Sequence, residues 1–385
     1  MSQQEGILHT IQEIEGQPDL WLDTCRTIQS NGQISGFLNR VIREGRLNIV
    51  LTGAGTSAYI GEVTEHLFHS ARPGVTARAI PTTTLVTHFR EYVDVTEPLL
   101  LVSFARSGNS PESVAAVETA EAFCSQLSHI AVTCNESGEL AELVNNLPNG
   151  LAVVLPPASE DQGLAMTGSF TSMTLAAILL SRMIADAGMG ADDMEKISGS
   201  ARSLIEAATP LMKSLADKSF NRIVFLGSGP RLGIARESHL KVQELTDGEV
   251  IGKFDSFLGF RHGPKAVVNR ETVVVFLFSA DPNVFRYEKD LADEILREGS
   301  ALETVGLFPR PALAEEVKPG VTLVAGGGIS EGYDGADESF GLLSSVIPAQ
   351  LLGFYKSLKL GLNPDSPSRN NAISRVVKGV TIYPV

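Results

Sequence analysis

The strongest constraint on this chain is an internal repeat, in which two apolar strands each lead into a glycine turn. Leu47–Thr52 precedes Gly53-Ala54-Gly55, and Arg222–Leu226 precedes Gly227-Ser228-Gly229. Gly227 follows Gly53, and Gly229 follows Gly55, at the same interval of 174 positions. Repetition at this scale indicates two copies of one domain rather than a solenoid of short units.

Further apolar segments extend the match through both copies. Residues 99–104 align with 273–278 at the same interval, and residues 151–155 align with 321–325 at a slightly smaller one. Continuous apolar runs of this length are typical of strands that are buried on both faces of a parallel sheet. Helical patterns such as Val284–Glu298 lie between them and fit crossover helices.

The predicted fold class is α/β, with two tandem three-layer α-β-α domains of the flavodoxin-like or Rossmann-like kind and parallel sheets. A chain of 385 residues is long enough for two such cores. Asp19 is predicted to cap a leading helix at Leu20–Gln29. Thr171–Ala187 is an almost wholly apolar helix that belongs in the core, with a subunit contact as the alternative. The predicted divisions are a helical N-terminal extension at 1–45, a first domain at 46–205, a second domain at 206–362 and a polar tail at 363–385.

Two turns of the first copy carry the residues expected at an anion site. Gly53-Ala54-Gly55-Thr56-Ser57 joins a strand to a helix, so its glycines allow a ligand to approach free N–H groups closely. Ser107-Gly108-Asn109-Ser110 follows a second strand and begins another helix. Because ligands of open α/β sheets bind beyond the carboxyl ends of strands, the two turns are expected to face each other. They predict a phosphate pocket, with ordinary helix caps as the alternative.

The second copy lacks the hydroxyl pair in its glycine turn and carries a cluster of ionisable residues instead. Glu237, Lys241 and Glu244 are spaced to share one face of a helix. Glu244 lies near the end of that helix and is predicted to act as a base, whereas an ion pair with a nearby lysine is the alternative. His262 lies on a constrained turn before Gly263-Pro264, where a solvated loop histidine is the alternative. A carboxylate and a histidine beside a phosphate pocket predict proton transfer on a phosphorylated sugar.

Composition excludes several other classes of protein. A formal net charge of −14 argues against nucleic acid or an anionic membrane as a partner. Three irregularly spaced cysteines, Cys25, Cys124 and Cys134, provide neither a disulfide framework nor a metal site, and no cofactor is predicted. Met1–Gly16 lacks the pattern of a signal peptide, and no apolar run has membrane-spanning length. The expected location is the cytoplasm.

These turns, together with Glu244 and His262-Gly263-Pro264, resemble the sugar isomerase (SIS) domain family. The duplicated form is similar to the isomerase half of glucosamine-6-phosphate synthase and to related deaminases, over nearly the whole chain after residue 45. The run Phe257-Leu258-Gly259-Phe260-Arg261-His262-Gly263-Pro264-Lys265 most specifically resembles bacterial galactosamine-6-phosphate deaminase/isomerases, a group also called tagatose-6-phosphate ketose/aldose isomerases. The resemblance implies a small-molecule hexosamine 6-phosphate as the substrate, with no metal, flavin or nicotinamide.

The resemblance also implies roles for individual residues. Glu244 matches the base that moves a proton between C2 and C1. His262 matches a residue that helps to open the sugar ring and comes from a neighbouring subunit, which implies a homo-oligomer of two or more chains with shared active sites. Lys378 matches a lysine that the C-terminal tail brings over the active site, with an exposed lysine on a mobile tail as the alternative. The implied substrate-binding residues are Gly55, Thr56, Ser57, Ser107, Asn109, Ser110, Thr167 and Ser169.

Two departures from the synthase concern the identity of the sugar. Ala105 replaces a hydroxyl residue of its phosphate loop, and Gly259 stands where it has a glutamate. The chain begins Met1-Ser2 and lacks the synthase's amide-hydrolysing half with its N-terminal cysteine, so release of ammonia is the predicted direction. The predicted reaction converts galactosamine 6-phosphate to tagatose 6-phosphate and ammonia. A simple ketose/aldose isomerase, a glucosamine-6-phosphate deaminase and a non-catalytic sugar-phosphate sensor are the alternatives.

Overall fold

The computed structural model describes residues 8–42, 46–188, 190–325, 335–377 and 379–383, and these residues contain two parallel five-stranded sheets. The strand order is β2-β1-β3-β4-β5 in the first sheet and β7-β6-β8-β9-β10 in the second, so both copies share one topology. The tandem α/β architecture predicted from the sequence is confirmed.

The strands of the first sheet are β1 (Leu47–Thr52), β2 (Val75–Ala79), β3 (Leu99–Ala105), β4 (Leu127–Thr133) and β5 (Gly150–Val154). Those of the second sheet are β6 (Arg222–Gly227), β7 (Ile251–Asp255), β8 (Thr272–Leu277), β9 (Glu303–Phe308) and β10 (Val321–Val324).

The central strands pair in parallel in both copies, with a register that shifts by one residue relative to the interval of 174 positions. Asn48 of β1 is paired with Leu99 of β3, and Arg222 of β6 is paired with Thr272 of β8. Every residue of β3 and of β8 is buried, as their continuous apolar runs predict. The carboxyl ends of β1 and β3 therefore lie side by side, and those of β6 and β8 repeat this arrangement.

Helices surround both sheets and account for most of the remaining described chain. In the first half these are α1 (His9–Ser30), α2 (Gly32–Val41), α3 (Thr56–His69), α4 (Thr82–Tyr92), α5 (Pro111–Phe123), α6 (Glu139–Asn145) and α7 (Gly168–Ile184). In the second half they are α8 (Ala191–Ala216), α9 (Pro230–Leu245), α10 (Phe257–Phe260), α11 (Pro282–Glu298), α12 (Pro311–Ala314), α13 (Gly335–Ser345) and α14 (Ile347–Lys359). Short 3₁₀ turns occur at Pro157–Ser159 and Pro264–Val267. Because α8 runs across position 205, the predicted boundary between the domains stays a prediction.

The leading helix differs from its prediction. α1 begins at His9 and continues through Pro18 and Asp19, so the assignment of Asp19 as its cap is wrong. Proline removes the N–H group that would donate to the carbonyl of Ile14. The side-chain amide of Gln17 donates to that carbonyl instead, at 3.0 Å, and so keeps the helix continuous.

The apolar helix predicted at Thr171–Ala187 is α7, and it lies in the core. All of its residues except Arg182 and Met183 are buried, and it packs against α1 and α3. The core interpretation is confirmed. The alternative of a subunit contact is wrong, because the apolar surface of α7 is already covered within the chain.

Close packing of α3 against α9 joins the two domains beside the site. At Gly233 of α9, a Cβ atom would lie only 2.8 Å from a methyl carbon of Val63 on α3, so the absence of a side chain permits this approach. α14 packs on α9 from the other side. α9 is therefore fixed with Lys241 and Glu244 directed toward the first domain's glycine turn.

No helix in the described parts of the chain combines the length and the apolar character needed to cross a membrane.

The described residues of the tail, 363–377 and 379–383, form neither a helix nor a strand. Several contacts fix its course along the protein. The Asp365 carboxylate accepts from the backbone N–H groups of His9 and Thr10, and Arg369 forms an ion pair with Glu249 at 2.7 Å.

Candidate active site

A cavity of about 590 Å³ lies beyond the carboxyl ends of β1 and β3, where the sequence predicts a phosphate pocket. Gly55 has φ +56° and precedes α3, and at Gly53 a Cβ atom would lie within 2.5 Å of the Ser57 backbone. Both glycines therefore shape the turn. The cavity brings together six of the predicted site residues, namely Gly55, Thr56, Ser57, Ser107, Ser110 and Glu244.

Three of the predicted substrate-binding residues lie elsewhere. The side-chain oxygen of Asn109 accepts from the N–H of Glu139 at 3.0 Å, next to α6. Thr167 and Ser169 are fully buried, and their hydroxyls donate to the carboxylate of Asp161 at 3.1 and 2.5 Å. None of the three lines the cavity, so a direct contact of each with substrate stays a prediction.

The ionisable cluster of α9 forms a buried network at the cavity wall. The Lys241 side chain is only 1 % exposed. Its ammonium nitrogen lies 2.6 Å from Glu244 Oε2 and 3.3 Å from Glu237 Oε1. It also donates to the Thr56 hydroxyl at 3.1 Å, which links the second domain to the first domain's turn. Glu244 is 23 % exposed and lines the cavity, whereas Glu237 is fully buried behind it.

Burial and the neighbouring charges shift the pKa values of two residues in this network. Burial raises the pKa of Glu237 to about 8, against the lowering effect of Lys241. Burial also disfavours the ammonium form of Lys241, but the neighbouring carboxyls outweigh it and raise the pKa of Lys241. Burial therefore favours the neutral form of Glu237, and the Lys241 ammonium faces Glu244 Oε2.

His262 is exposed on the turn after α10 and does not line the cavity. Its backbone N–H donates to the Gly259 carbonyl at 3.0 Å, which holds the turn. At Gly259 a Cβ atom would lie 2.7 Å from Ser256 Oγ, so a glutamate at this position would require the neighbouring residues to shift. The side chain of His262 is therefore open to solvent in this chain.

The C-terminal tail contributes to the cavity wall. Asn371, Ala372, Ile373, Ser374, Arg375 and Val377 line it. Lys378, predicted to act at the site, lies outside the described residues. The Arg375 guanidinium donates to the Asp161 carbonyl at 2.6 and 2.9 Å and forms an ion pair with Glu160 at 3.1 Å.

Arg106 was missed by the sequence analysis, although it lines the cavity between β3 and Ser107. It is 6 % exposed, and burial lowers its pKa, against the raising effect of Asp161. Its position directly after a buried central strand was the signal that could have identified it. Lys241 was placed on one helix face with Glu237 and Glu244 but was given no role at the site, because the sequence does not reveal that this face is turned inward.

The equivalent turn of the second domain is closed by the chain's own carboxylates. Arg231 forms an ion pair with Glu338, whose carboxylate also accepts from the N–H of Ala280 at 3.0 Å. The buried Glu288 accepts from the N–H of Ser279 at 2.7 Å. Backbone donors after β8 are therefore satisfied, in contrast to the open turns of the first domain.

No group of three or more histidine, cysteine, aspartate or glutamate side chains in the described ranges is arranged to hold a metal ion. The polar side chains of the cavity are hydroxyls, cations, the amide of Asn371 and one carboxylate. Such a set suits an anionic, hydroxyl-bearing molecule, with Glu244 available to accept a proton.

Comparison with known proteins identifies the family. D-galactosamine-6-phosphate deaminase AgaS of Shewanella sp. (strain ANA-3) is 37 % identical over 99 % of this chain and 93 % of its own length. The AgaS deaminase of Escherichia coli O157:H7 is 36 % identical, over 97 % of this chain and 95 % of its own. The chain belongs to the AgaS family of D-galactosamine-6-phosphate deaminases.

Solved structures agree with this assignment. The crystal structure of tagatose-6-phosphate ketose/aldose isomerase from Escherichia coli superimposes with a TM-score of 0.85 at 34 % identity, covering 98 % of this chain and 97 % of that chain. No protein-family model matches the chain. The resemblance to double-SIS enzymes expected from the sequence is confirmed.

Proposed function

We propose that this protein converts D-galactosamine 6-phosphate to D-tagatose 6-phosphate with release of ammonia. The observation that carries the proposal is that one cavity contains both hydroxyl-bearing turns of the first domain and the Glu244 carboxylate of the second. The first could bind the phosphate and the second could act on C1 and C2 of the same sugar. AgaS relatives that match nearly the whole chain support the choice of substrate.

Phosphate recognition is assigned to the first domain. Thr56, Ser57, Ser107 and Ser110 supply hydroxyls, and the start of α3 supplies the positive end of its dipole. The protein carries a net charge of −14. A dianionic substrate therefore depends on these local donors and on the cations in the cavity wall.

Glu244 is assigned as the base for proton transfer. Ring opening exposes a C1 aldehyde, which makes the hydrogen on C2 acidic. Glu244 removes that proton to give an enolamine and returns it at C1, while a proton passes from the amine to the C1 oxygen, which leaves a C1 hydroxyl and a ketimine at C2. Water then adds to the ketimine carbon and ammonia leaves, which gives the ketose. The 2.6 Å contact with Lys241 holds the Glu244 carboxylate in position.

We assign ring opening to His262 of the partner subunit, in a homo-oligomer of two or more chains with shared active sites. The support is that His262 is exposed and outside the wall of its own chain's cavity. Lys378 is proposed to approach the substrate from the tail, because the residues just before it, Asn371–Arg375 and Val377, line the cavity. A cytoplasmic location stays a prediction.

A simple ketose/aldose isomerase is the second candidate, favoured by the name of the similar E. coli structure. It would use the same proton transfer on a substrate with a hydroxyl group at C2. Purified protein should therefore be given galactosamine 6-phosphate, glucosamine 6-phosphate, tagatose 6-phosphate and unphosphorylated galactosamine, with ammonia and sugar products measured. We expect ammonia and ketose in equal amounts from galactosamine 6-phosphate and none from galactosamine. Efficient interconversion of tagatose 6-phosphate with an aldose, without ammonia from either amino sugar phosphate, would establish the isomerase instead.

A further inference from the structure

Arg106 is a buried cation whose hydrogen bonds all go to neutral groups. Nη1 donates to the carbonyls of Gly163 and Leu164, both at 3.2 Å. Nη2 donates to the carbonyl of Leu164 at 3.2 Å and to that of Arg375 at 2.9 Å. The guanidinium thus joins two segments, the loop before α7 and the C-terminal tail.

Arg106 has no direct ion-pair partner. The buried carboxylate of Asp161 is close enough to raise the pKa of Arg106, but the Asp161 oxygens accept from the backbone N–H groups of Thr167, Gly168 and Ser169 instead. No carboxylate of the described residues forms an ion pair with it, although it is 6 % exposed. The two arginines to compare with it are both paired: Arg231 of the second domain's turn with Glu338, and Arg375 with Glu160. A buried cation without a counterion is costly unless an anion binds beside it.

We propose that Arg106 provides the counter-charge for the substrate's phosphate and, through the same guanidinium, couples phosphate binding to closure of the C-terminal tail. This inference rests on the proposed function, because it takes the anion in this cavity to be the sugar's phosphate. Arg106 directly precedes Ser107, one of the hydroxyl residues of the phosphate turn, and it lines the cavity.

The coupling follows from contacts that run in both directions between the tail and the loop before α7. Arg106 donates to the Arg375 carbonyl, and the Arg375 side chain donates to the Asp161 carbonyl. An anion that fixes the Arg106 guanidinium also fixes the tail carbonyl bonded to it. By linkage, a tail held in place must in turn strengthen anion binding.

The counter-charge and the tail contact can be separated experimentally, because lysine can replace arginine in the first role but not in the second. A planar guanidinium can donate to three carbonyls at once, whereas a single ammonium supplies the charge without that fixed fork. We therefore expect Arg106→Gln to lose both roles and Arg106→Lys to lose only the tail contact. Arg72→Gln, at an exposed position in the turn after α3, removes the same charge and is the matched control.

The test measures two quantities on the full-length protein with inorganic phosphate and with galactosamine 6-phosphate. The first is the dissociation constant by calorimetry, and the second is hydrogen exchange of the backbone at Asn371–Val377 with and without the anion. Arg106→Gln should bind both anions roughly 10- to 100-fold more weakly. Arg106→Lys should keep most of the affinity but lose the slowing of exchange that phosphate produces in the wild type, and Arg72→Gln should match the wild type in both.

Two results would overturn the inference. A folded Arg106→Gln variant with wild-type affinity for phosphate would exclude the counter-charge, and Arg106→Lys with full protection of the tail would exclude the coupling. If Arg106→Gln does not fold, Arg106→Lys alone can test the charge role. A folded Arg106→Lys variant that binds phosphate roughly 10- to 100-fold more weakly than the wild type would exclude that role, because the lysine keeps the charge. Phosphate binding requires no turnover. Binding that depends on Arg106 in a protein that releases no ammonia would therefore refute the proposed function and leave this inference intact.

Discussion

The buried carboxyl of Glu237 should make the stability of the protein depend on pH in a direction opposite to that of an ordinary paired carboxylate. Its pKa is raised from 4.5 to about 8 by burial. Between these values the unfolded chain has lost a proton that the folded protein retains. The free energy of unfolding therefore falls as the pH rises through this interval, because high pH favours the state that binds fewer protons.

Glu237→Gln removes this titration while keeping a neutral side chain of similar shape. The stability of the variant relative to the wild type should rise by about 1.4 kcal/mol for each pH unit between the two pKa values. Above the folded pKa the difference should become constant. Over the whole interval the change amounts to several kcal/mol, which is large compared with ordinary stabilities.

Urea denaturation of both proteins at a series of pH values from 5 to 9 measures this difference, with exposed Glu136→Gln as a control for the loss of a carboxyl. Infrared difference spectra of the two folded proteins at pH 7 provide a direct check. The wild type should show the carbonyl band of a protonated acid that Glu237→Gln lacks. A stability difference that does not change with pH, together with no such band, would refute the reasoning and mean that Glu237 is ionised beside Lys241.

Three further predictions concern the site. Ser107→Ala should raise the KM for galactosamine 6-phosphate roughly 10- to 100-fold, since a lost hydrogen bond to a charged oxygen costs about 1.5–3 kcal/mol. An unchanged KM in steady-state kinetics would contradict the phosphate assignment. Inactive His262→Ala mixed with inactive Glu244→Gln should regain activity in a turnover assay, because a mixed dimer contains one intact site; no recovery after proven subunit exchange would assign both residues to one chain. Truncation before Ser374 should leave a folded protein by circular dichroism with greatly reduced turnover, and full activity would exclude a role for the tail.

The central strands β1, β3, β6 and β8 were predictable, because strands that are buried on both faces have continuous apolar sequences. The edge strands β2 and β7 were not predicted, because their sequences alternate or contain charged residues. The repeat of Gly53 at Gly227 located the two equivalent turns within the fold. The start of α1 was not predictable in this way, because a proline inside a helix ordinarily marks an end. At Pro18 the freed carbonyl of Ile14 accepts from the side chain of Gln17, a contact that no local pattern reveals.

The site was predictable only in part. Turn chemistry placed Thr56 and Ser107 at the cavity, because the carboxyl ends of neighbouring parallel strands lie side by side and ligands of open α/β sheets bind there. The buried cations Arg106 and Lys241 escaped prediction, because charged residues at such positions are usually solvated. Their burial arises from tertiary packing, of α3 against α9 and of the tail against the loop before α7, and sequence spacing does not encode it.

Transfer of the C2 hydrogen by Glu244 is the central claim, and an isotope experiment tests it most directly. Galactosamine 6-phosphate carrying deuterium at C2 is given to the wild type and to Glu244→Gln, and loss of the label from C2 is followed by nuclear magnetic resonance together with ammonia release. The wild type should remove the label and release ammonia. Glu244→Gln should bind the substrate yet remove the label roughly 10²- to 10⁴-fold more slowly. Removal of the label by Glu244→Gln at the wild-type rate would contradict the account.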